Sequence, residues 1–331
     1  MEHVDVLIVG AGPVGLYGTY YAGFRGLSVA VMDSLPEVGG QVSALYPEKS
    51  IYDVAGLPGV RGQTLVDNLV EQAAPFRPQY LLGQRADTVE QAAGGKIVVT
   101  SSAGTRVSAG AVVVTGGIGS FSPRPLPCGR EFEGRGLGYF VPKLHALRGL
   151  DVVVVGGGDS AVDWALALEE IASSVTLVHR RQAFRAHEHS VTQLRESSTR
   201  LVLDAQVVEL RGGDHVREAV VSVKGQDAHL VLDARAVVAA LGFTADLGPL
   251  ESWGFTLDRR RITVDTAMRT GVPGVFAAGD IATYPGKVKL IAVGFGEVAT
   301  AVNNAAALMQ PDIGIEPGHS SDAPSGLPVA V

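Results

Sequence analysis

A strand followed by a glycine-rich turn occurs twice in this chain of 331 residues, and this repeat limits the folds that the chain can adopt. Residues 5–15 read DVLIVGAGPVG and residues 151–161 read DVVVVGGGDSA, so the first glycines, Gly10 and Gly156, lie 146 positions apart (156 less 10). In each copy a short apolar run leads into a G-x-G-x-x-G/A turn, which is typical of the strand, turn and helix of a dinucleotide-binding domain. The repeat therefore predicts an α/β chain with two Rossmann-like domains.

The two copies differ in charge at the residue that lies 23 positions after each first glycine (33 less 10, and 179 less 156). Asp33 ends the segment SVAVMD in the first copy, whereas His179, Arg180 and Arg181 end SVTLVHRR in the second. A carboxylate at this point accepts hydrogen bonds from free ribose hydroxyls, and a 2′-phosphate requires guanidinium groups. The first turn is therefore predicted to bind FAD or NAD, and the second NADP, with each pyrophosphate at a helix N-terminus.

Composition agrees with this prediction and excludes other classes of protein. The chain is 46% hydrophobic and only 18% charged, with 42 glycines, which suits buried parallel strands joined by tight turns. Its net charge of −7 argues against a general nucleic-acid-binding role. The N-terminal residues MEHVD lead directly into a strand, and we expect a cytoplasmic protein that does not span a membrane.

Cys128 is the only cysteine, so the chain can form neither an intramolecular disulfide nor a Cys-x-x-Cys dithiol. The segment His187-Glu188-His189 does not predict a metal site, because two histidines at i and i+2 do not share a helical face. Any relay of electrons is therefore expected to depend on an organic cofactor rather than on a dithiol or a metal.

The strand that ends at Gly279-Asp280 resembles the second flavin fingerprint of flavoproteins with two dinucleotide sites, which favours FAD over NAD at the first turn. Over nearly all of its length the chain resembles the ferredoxin–NADP reductases of the thioredoxin-reductase-like type. Thioredoxin reductases share the fingerprints but carry a dithiol just before the NADPH strand, where this chain reads GYFVPKLHALRG. The segments that carry the resemblance most specifically are GGQVSALYPEKSIYDVAG (39–56), GGGDSAVDWAL (156–166), HRRQAFRAHEHS (179–190) and YPGKVKLIAVGFGE (284–297).

This resemblance implies the domain organisation. We expect two Rossmann-like, three-layer ββα domains, with the NADPH-binding domain inserted in the FAD-binding domain. The FAD-binding domain would comprise residues 1–117 and 273–331, including a C-terminal extension (311–331), and the NADPH-binding domain residues 118–272. The resemblance also implies a homodimer, in which the extension of one subunit covers the flavin of the other.

The resemblance assigns roles to individual residues. Tyr46 would stack on the isoalloxazine ring, Asp280 would bind the ribityl chain, and His319 and Ser321 would belong to the covering extension. The residues expected to bind FAD are Gly10, Gly12, Pro13, Gly15, Asp33, Gln41, Tyr46, Ala86, Phe121, Asp280, His319 and Ser321. The residues expected to bind NADP are Gly156, Gly158, Asp159, Ser160, His179, Arg180, Arg181 and Arg185.

The implied activity is hydride transfer between NADP(H) and FAD, with single electrons passing to or from ferredoxin or flavodoxin. Hydride transfer between two cofactors requires positioning, so no catalytic acid or base is expected. Three alternatives remain open at this point. The protein could be an NADPH diaphorase that reduces quinones or free flavins, a thioredoxin reductase whose partner supplies the dithiol, or a flavin-bound redox sensor without turnover.

Overall fold

The computed structural model describes residues 1–141 and 143–316, and these residues form two compact units. The first unit contains Met1–Ser120 together with the described residues from Ala245 onward, and the second contains Phe121–Thr244. The chain thus leaves the first unit once and returns to it, as expected for one domain inserted in the sequence of another.

The secondary-structure elements of the described residues alternate between strands and helices. In chain order the strands are β1 (Glu2–Val9), β2 (Val29–Met32), β3 (Ser50–Ile51), β4 (Val60–Arg61), β5 (Gln79–Leu81), β6 (Ala86–Gln91), β7 (Ile97–Ser101), β8 (Arg106–Val114), β9 (Ser120–Pro123), β10 (Leu137–Gly138), β11 (Asp151–Val155), β12 (Ser174–His179), β13 (Arg200–Leu203), β14 (Ala205–Gly212), β15 (Val216–Val223), β16 (Leu230–Asp233), β17 (Ala236–Ala239), β18 (Phe243–Asp246), β19 (Leu257–Asp258), β20 (Arg261–Thr263), β21 (Val275–Ala277) and β22 (Ala282–Thr283). The helices are α1 (Pro13–Phe24), α2 (Gln41–Leu45), α3 (Gly62–Ala73), α4 (Asp159–Glu169), α5 (Glu188–Glu196) and α6 (Ile291–Met309).

A seven-stranded sheet forms the centre of the first unit, in the order β5-β2-β1-β8-β7-β6 with β21 also paired to β8. Strands β5, β2, β1, β8 and β21 run parallel, and β6 and β7 extend the sheet as an antiparallel pair. Most residues of β1 and all but the first of β8 are buried, because both faces of a parallel sheet are covered. The parallel strands were predicted from these continuous apolar runs.

Helix α1 packs against both α3 and α6 beside this sheet. By length and composition α6 is apolar enough to cross a membrane. In the structure, however, Val298, Ala301 and Val302 on this helix are buried in the core of the first unit, together with side chains of β1 and β8. The helix is therefore a core element of this unit.

The second unit contains a parallel five-stranded sheet in the order β10-β17-β11-β12-β13 and an antiparallel three-stranded sheet, β14-β15-β16. Its core joins the two sheets through buried residues such as Val153, Val178 and Val221. From the sequence alone, residues 201–210 predict a single strand, but the structure has two, β13 and β14. Asp204 separates them with a φ of 51°, a left-handed conformation that interrupts an extended strand.

The second domain boundary differs from the sequence-based expectation of 272/273, because the chain re-enters the first unit at Ala245. Leu247, Leu250, Trp253 and Phe255 are buried in the core of the first unit. The indole nitrogen of Trp253 also donates a hydrogen bond of 3.1 Å to the carbonyl of Asp87. This apolar cluster attaches residues 245–272 to the first unit. The sequence does not distinguish the glycines and proline near 242–254 from the turn at 271–274 as the place of the boundary, because the side chains that decide it are buried by distant elements.

The strand registers bring the candidate residues to one edge of each sheet. In the first unit Val9 aligns with Met32 and Val114, and Val114 aligns with Ala277. In the second unit Val155 aligns with Val178 and with Ala239. The residues that follow these strands, including Gly10, Asp33, Gly156 and His179, therefore lie at carboxyl ends, where open α/β sheets bind ligands.

Two glycines of the first turn allow a test of this packing. A Cβ atom on Gly15 would collide with the carbonyl oxygen of Gly10, whereas a Cβ on Gly12 would have no neighbour within 4 Å. We expect Gly15→Ala to lower the free energy of unfolding by about 1–3 kcal/mol, because a backbone oxygen cannot move aside as a flexible side chain could. Gly12→Ala should change it by less than about 0.5 kcal/mol. Urea unfolding of both ligand-free variants measures the difference, and equal losses would contradict the packing described.

Candidate functional site: two glycine turns

The first glycine turn connects β1 to α1 in a conformation that depends on its glycines. Gly10 has a φ of 115°, and a Cβ there would lie 2.7 Å from the carbonyl carbon of Thr115. The hydroxyl of Thr115 donates a hydrogen bond of 2.8 Å to the carbonyl of Gly10 and so attaches the turn to the end of β8. Pro13 occupies the first turn of α1, where its missing N–H costs nothing.

The N-terminus of α1 is open. Gly12 is its N-cap residue and no side chain caps the helix, while no atom lies within 4 Å of the position that a Cβ on Gly12 would occupy. The unpaired N–H groups of a first helical turn attract anionic groups such as a pyrophosphate. An absent Cβ, an uncapped turn and free space together fit the pyrophosphate of a dinucleotide.

Asp33 follows β2 directly and lies beside this turn. Its carboxylate accepts hydrogen bonds from the backbone N–H groups of Ala11 (2.6 Å) and Leu35 (2.8 Å). Burial raises the pKa of the Asp33 carboxyl, and the two backbone hydrogen bonds oppose this rise. The carboxylate oxygens retain further lone pairs for ribose hydroxyls. Ala86, also predicted at this end of the site, begins β6 two residues after Gln84, whose N–H donates to the carbonyl of Asp33.

The segment after β2 returns to the same turn. The N–H of Gly39 donates to the carbonyl of Ala11 at 2.8 Å, and the backbone of Gly40 lies against Gly12. Gln41 then begins α2, and its amide nitrogen lies 3.1 Å from the position of a Cβ on Gly117. Gln41 is therefore at the carboxyl edge of the first sheet, and its contact with FAD stays a prediction.

Tyr46 and Asp280 also lie close together in the first unit. Burial raises the pKa of the Tyr46 hydroxyl to about 12, and the negative charges of Asp280 and Asp53 add to this effect. The phenol is therefore neutral at physiological pH. The ammonium of Lys49 lies 5.7 Å from the centre of the Tyr46 ring. A neutral, mostly enclosed aromatic ring beside the Asp280 turn suits stacking against another flat ring.

The second glycine turn connects β11 to α4 in the second unit. Gly156 has a φ of 152°, and a Cβ there would collide with the carbonyl of Ala240. Gly158 is the uncapped N-cap residue of α4, so this helix also presents free N–H groups. Asp159 and Ser160 follow in the first turn. The Asp159 carboxylate accepts a hydrogen bond of 2.9 Å from the N–H of His187, which fastens residues 185–187 across the turn.

His179, Arg180, Arg181 and Arg185 surround this turn. The N–H of Arg185 donates to the carbonyl of Gly157 at 2.7 Å, and His179 stacks on Phe184 with ring centres 5.4 Å apart. Burial lowers the pKa of His179, and the charges of Arg180 and Arg181 lower it further, while a hydrogen bond to Ala183 opposes the decrease. The side chains of Arg180 and Arg181 are exposed and form no ion pair within residues 143–316.

The last candidates from the sequence are two residues of the C-terminal extension, Phe121, a metal site and Cys128. His319 and Ser321 lie outside the described residues, as does the side chain of Phe121. Among the described residues, no group of three or more His, Cys, Asp or Glu side chains is arranged to hold a metal ion. Cys128 is half-buried, and burial together with Glu131 and Glu209 raises the pKa of its thiol, which disfavours a reactive thiolate.

The sequence analysis missed three residues that hold the candidate sites in place: Gly157, Thr115 and Glu297. A Cβ on Gly157 would collide with the ring of His179, so the middle glycine of the run 156–158 is required for side-chain packing. Thr115 anchors the first turn, and Glu297 on α6 accepts a hydrogen bond from Gly279. Only the run of three glycines was a signal in sequence; Thr115 and Glu297 are distant from the residues that they contact.

Comparison with known proteins identifies a family and several relatives of this chain. The family described as pyridine nucleotide-disulphide oxidoreductase matches residues 4–305. A ferredoxin–NADP reductase of Frankia casuarinae is 61% identical, over 97% of this chain and 100% of its own length. One of Salinispora arenicola is 58% identical over 97% and 99% of the two chains, and one of Thermus thermophilus is 50% identical over 97% of each.

Solved structures that resemble this chain include thioredoxin reductases. That of T. acidophilum superimposes with a TM-score of 0.79 at 25% identity, over 95% of this chain and all of the other. That of Lactococcus lactis shares the fold, with a TM-score of 0.78 at 23% identity over 92% and 99% of the two chains. The chain therefore belongs to the pyridine nucleotide-disulphide oxidoreductase family and, within it, to the group of the ferredoxin–NADP reductases.

Proposed function

We propose that this protein is an FAD-dependent ferredoxin–NADP reductase, with FAD bound at the first glycine turn and NADP(H) at the second. One observation carries the proposal: two open helix N-termini follow parallel strands, and the next strand along each sheet ends in a carboxylate in one unit and in exposed arginines in the other. Ferredoxin or flavodoxin is the one-electron partner.

The first unit supplies the FAD-binding residues. Gly12 leaves space for the pyrophosphate, Gly10 and Gly15 allow the close packing that holds the turn, and Asp33 accepts hydrogen bonds from the ribose. Asp280 lies beside Tyr46, which suits contacts with the ribityl chain and the flavin ring. When bound, FAD supplies the exchange between a two-electron hydride donor and a one-electron carrier.

The second unit supplies selectivity for NADP. Because the pKa of His179 is lowered, this imidazole is neutral at pH 7 and adds no charge. The positive charge available to a 2′-phosphate therefore comes from Arg180 and Arg181, with Arg185 nearby on the segment that crosses the turn. The chain needs no acid or base for this reaction, since its residues act by binding and orientation.

The assembly and location of the protein are part of the same proposal. A homodimer would bury the aromatic side chains of α1, of which Tyr17, Tyr20, Tyr21 and Phe24 are partly exposed and contact one another. We place the protein in the cytoplasm and off the membrane. A single free cysteine suits a reducing compartment, and the apolar helix α6 is already partly buried in the first unit.

A comparison of electron acceptors tests the proposed activity. With NADPH as donor, we expect the purified protein to reduce ferredoxin at least about tenfold more efficiently, in kcat/KM, than a quinone or free flavin, because an enzyme specific for a protein carrier uses its contacts in the transition state. Thioredoxin should not be reduced, since Cys128 cannot form a dithiol within the chain. Efficient turnover with quinones alone would favour a diaphorase, and bound flavin without turnover would favour a sensor.

Removal of the arginine pair tests the NADP site. We expect Arg180→Ala with Arg181→Ala to reduce the preference for NADPH over NADH by about 100-fold or more, because each charge-assisted hydrogen bond contributes about 1.5–3 kcal/mol. The measurement is kcat/KM with each nucleotide. Arg217→Ala, an exposed arginine of β15 in the same unit, is the control and should leave the preference unchanged. A wild-type protein that uses both nucleotides equally would refute this assignment.

The Gly12→Ala variant tests the FAD site through the affinity for FAD rather than through the stability of the protein. The Gly12→Ala methyl group would enter the free space at the start of α1, so we expect FAD to bind at least about tenfold more weakly while the ligand-free protein keeps its stability. Titration of the apoprotein with FAD, followed by flavin fluorescence, measures the affinity. Unchanged affinity would show that the pyrophosphate lies elsewhere.

A further inference from the structure

Three hydrogen-bond donors converge on the carboxylate of Glu297, a buried residue of α6. One oxygen accepts the backbone N–H of Gly279 at 2.8 Å. The other accepts the hydroxyl of Tyr284 at 2.6 Å and the ammonium of Lys287. None of these residues is part of either glycine turn, and no role in the proposed reaction has been given to Glu297, Tyr284 or Lys287.

The ion pair in this cluster is almost completely removed from water. The side chains of Lys287 and Glu297 are only 3% and 5% exposed, and the ammonium also lies 5.5 Å from the centre of the Tyr284 ring. Burial and the neighbouring carboxylate raise the pKa of the Tyr284 hydroxyl to about 12, so it remains a donor to Glu297. A buried ion pair often contributes little net stability in comparison with apolar residues of similar size. Stability alone is therefore a weak explanation for this pair.

The peptide that Glu297 binds controls the direction of Asp280. Gly279 follows the end of β21 and has a φ of 80°, a conformation that favours glycine. Asp280 comes next, in the short turn Gly279–Ile281, and its charge acts on Tyr46. A rotation of the Gly279 peptide would therefore displace the backbone of Asp280 and change the direction of its side chain.

We propose that Glu297 is a positioning residue for flavin binding. Its carboxylate, balanced by the ammonium of Lys287, locks the Gly279 peptide so that Asp280 faces the ribityl chain of FAD. This inference rests on the proposed function, since it assumes that FAD binds in the first unit. Binding of FAD would then depend on Glu297 as well as on the glycines of the first turn.

A charge-free variant separates positioning from folding. In Glu297→Leu with Lys287→Met, both buried charges are replaced by apolar side chains of similar size, so neither charge is left unpaired. The N–H of Gly279 and the hydroxyl of Tyr284 lose their acceptor, so we expect a Tm a few degrees below that of the wild type and an affinity of the apoprotein for FAD that is about tenfold weaker. Flavin fluorescence during titration with FAD measures this affinity, and thermal unfolding of the same apoprotein measures the Tm.

The matched control is Asn304→Ala on the same helix. Asn304 is also buried and polar, but its amide donates to the carbonyl of Thr300 within α6. We expect this variant to have a lower Tm and an unchanged affinity for FAD. A tenfold loss of affinity in the control as well would show that any disturbance of α6 weakens binding, and would overturn the proposal.

A double-mutant cycle with Asp280 gives a second, independent result, which remains available if the charge-free variant does not fold. If Glu297 acts through Asp280, Glu297→Gln should weaken FAD binding about tenfold in the wild type and by less than about twofold when Asp280→Asn is already present. Equal losses in both backgrounds would overturn the proposal. A wild-type protein that binds no FAD would instead refute the proposed function, whereas wild-type affinity in the charge-free variant would refute only this inference.

Discussion

The close approach of three backbone segments at the carboxyl edge of the first sheet is the constraint on which the rest of the structure depends. Gly10 lies against the end of β8, Gly15 lies against the carbonyl of Gly10, and Thr115 bonds that same carbonyl. These contacts leave no room for Cβ atoms at Gly10 or Gly15, and they aim the N-terminus of α1 at free space. A helix end that is held in this way can bind an anion without any charged side chain.

The second unit repeats this geometry with opposite electrostatics. Its turn is also closed by a glycine with positive φ, but the neighbouring strand ends in His179, followed by two exposed guanidinium groups. A partly buried carboxylate whose oxygens already accept two backbone hydrogen bonds favours neutral hydroxyls, whereas exposed arginines favour a phosphate. In the proposed function, differences at a few residues direct two similar folds to different nucleotides, one held in the protein and one exchanged.

Elements with a continuous apolar pattern could be predicted closely. From the sequence alone, residues 14–25 and 292–308 predict two helices, and in the structure α1 runs from Pro13 to Phe24 and α6 from Ile291 to Met309. The segment 39–59, rich in Gly, Pro and Tyr, predicts an irregular loop, and in the structure it contains the short helix α2 and the two-residue strand β3, which pairs with β4 just after it. These elements are stabilised by contacts with α1 and α3 rather than by their own sequence pattern, and such contacts cannot be read from neighbouring residues.

The amino-acid sequence by itself determined the two glycine turns, the residues that close them and the absence of a dithiol, because each depends on residue type and short spacing. The tertiary structure alone decided the return of the chain at Ala245 and the partners of Thr115 and Glu297. Thr115 lies 105 residues from Gly10, and Glu297 reaches Gly279 only because α6 packs beside the turn after β21. Contacts of this kind form when separate elements are packed around a common core, and no local pattern encodes them.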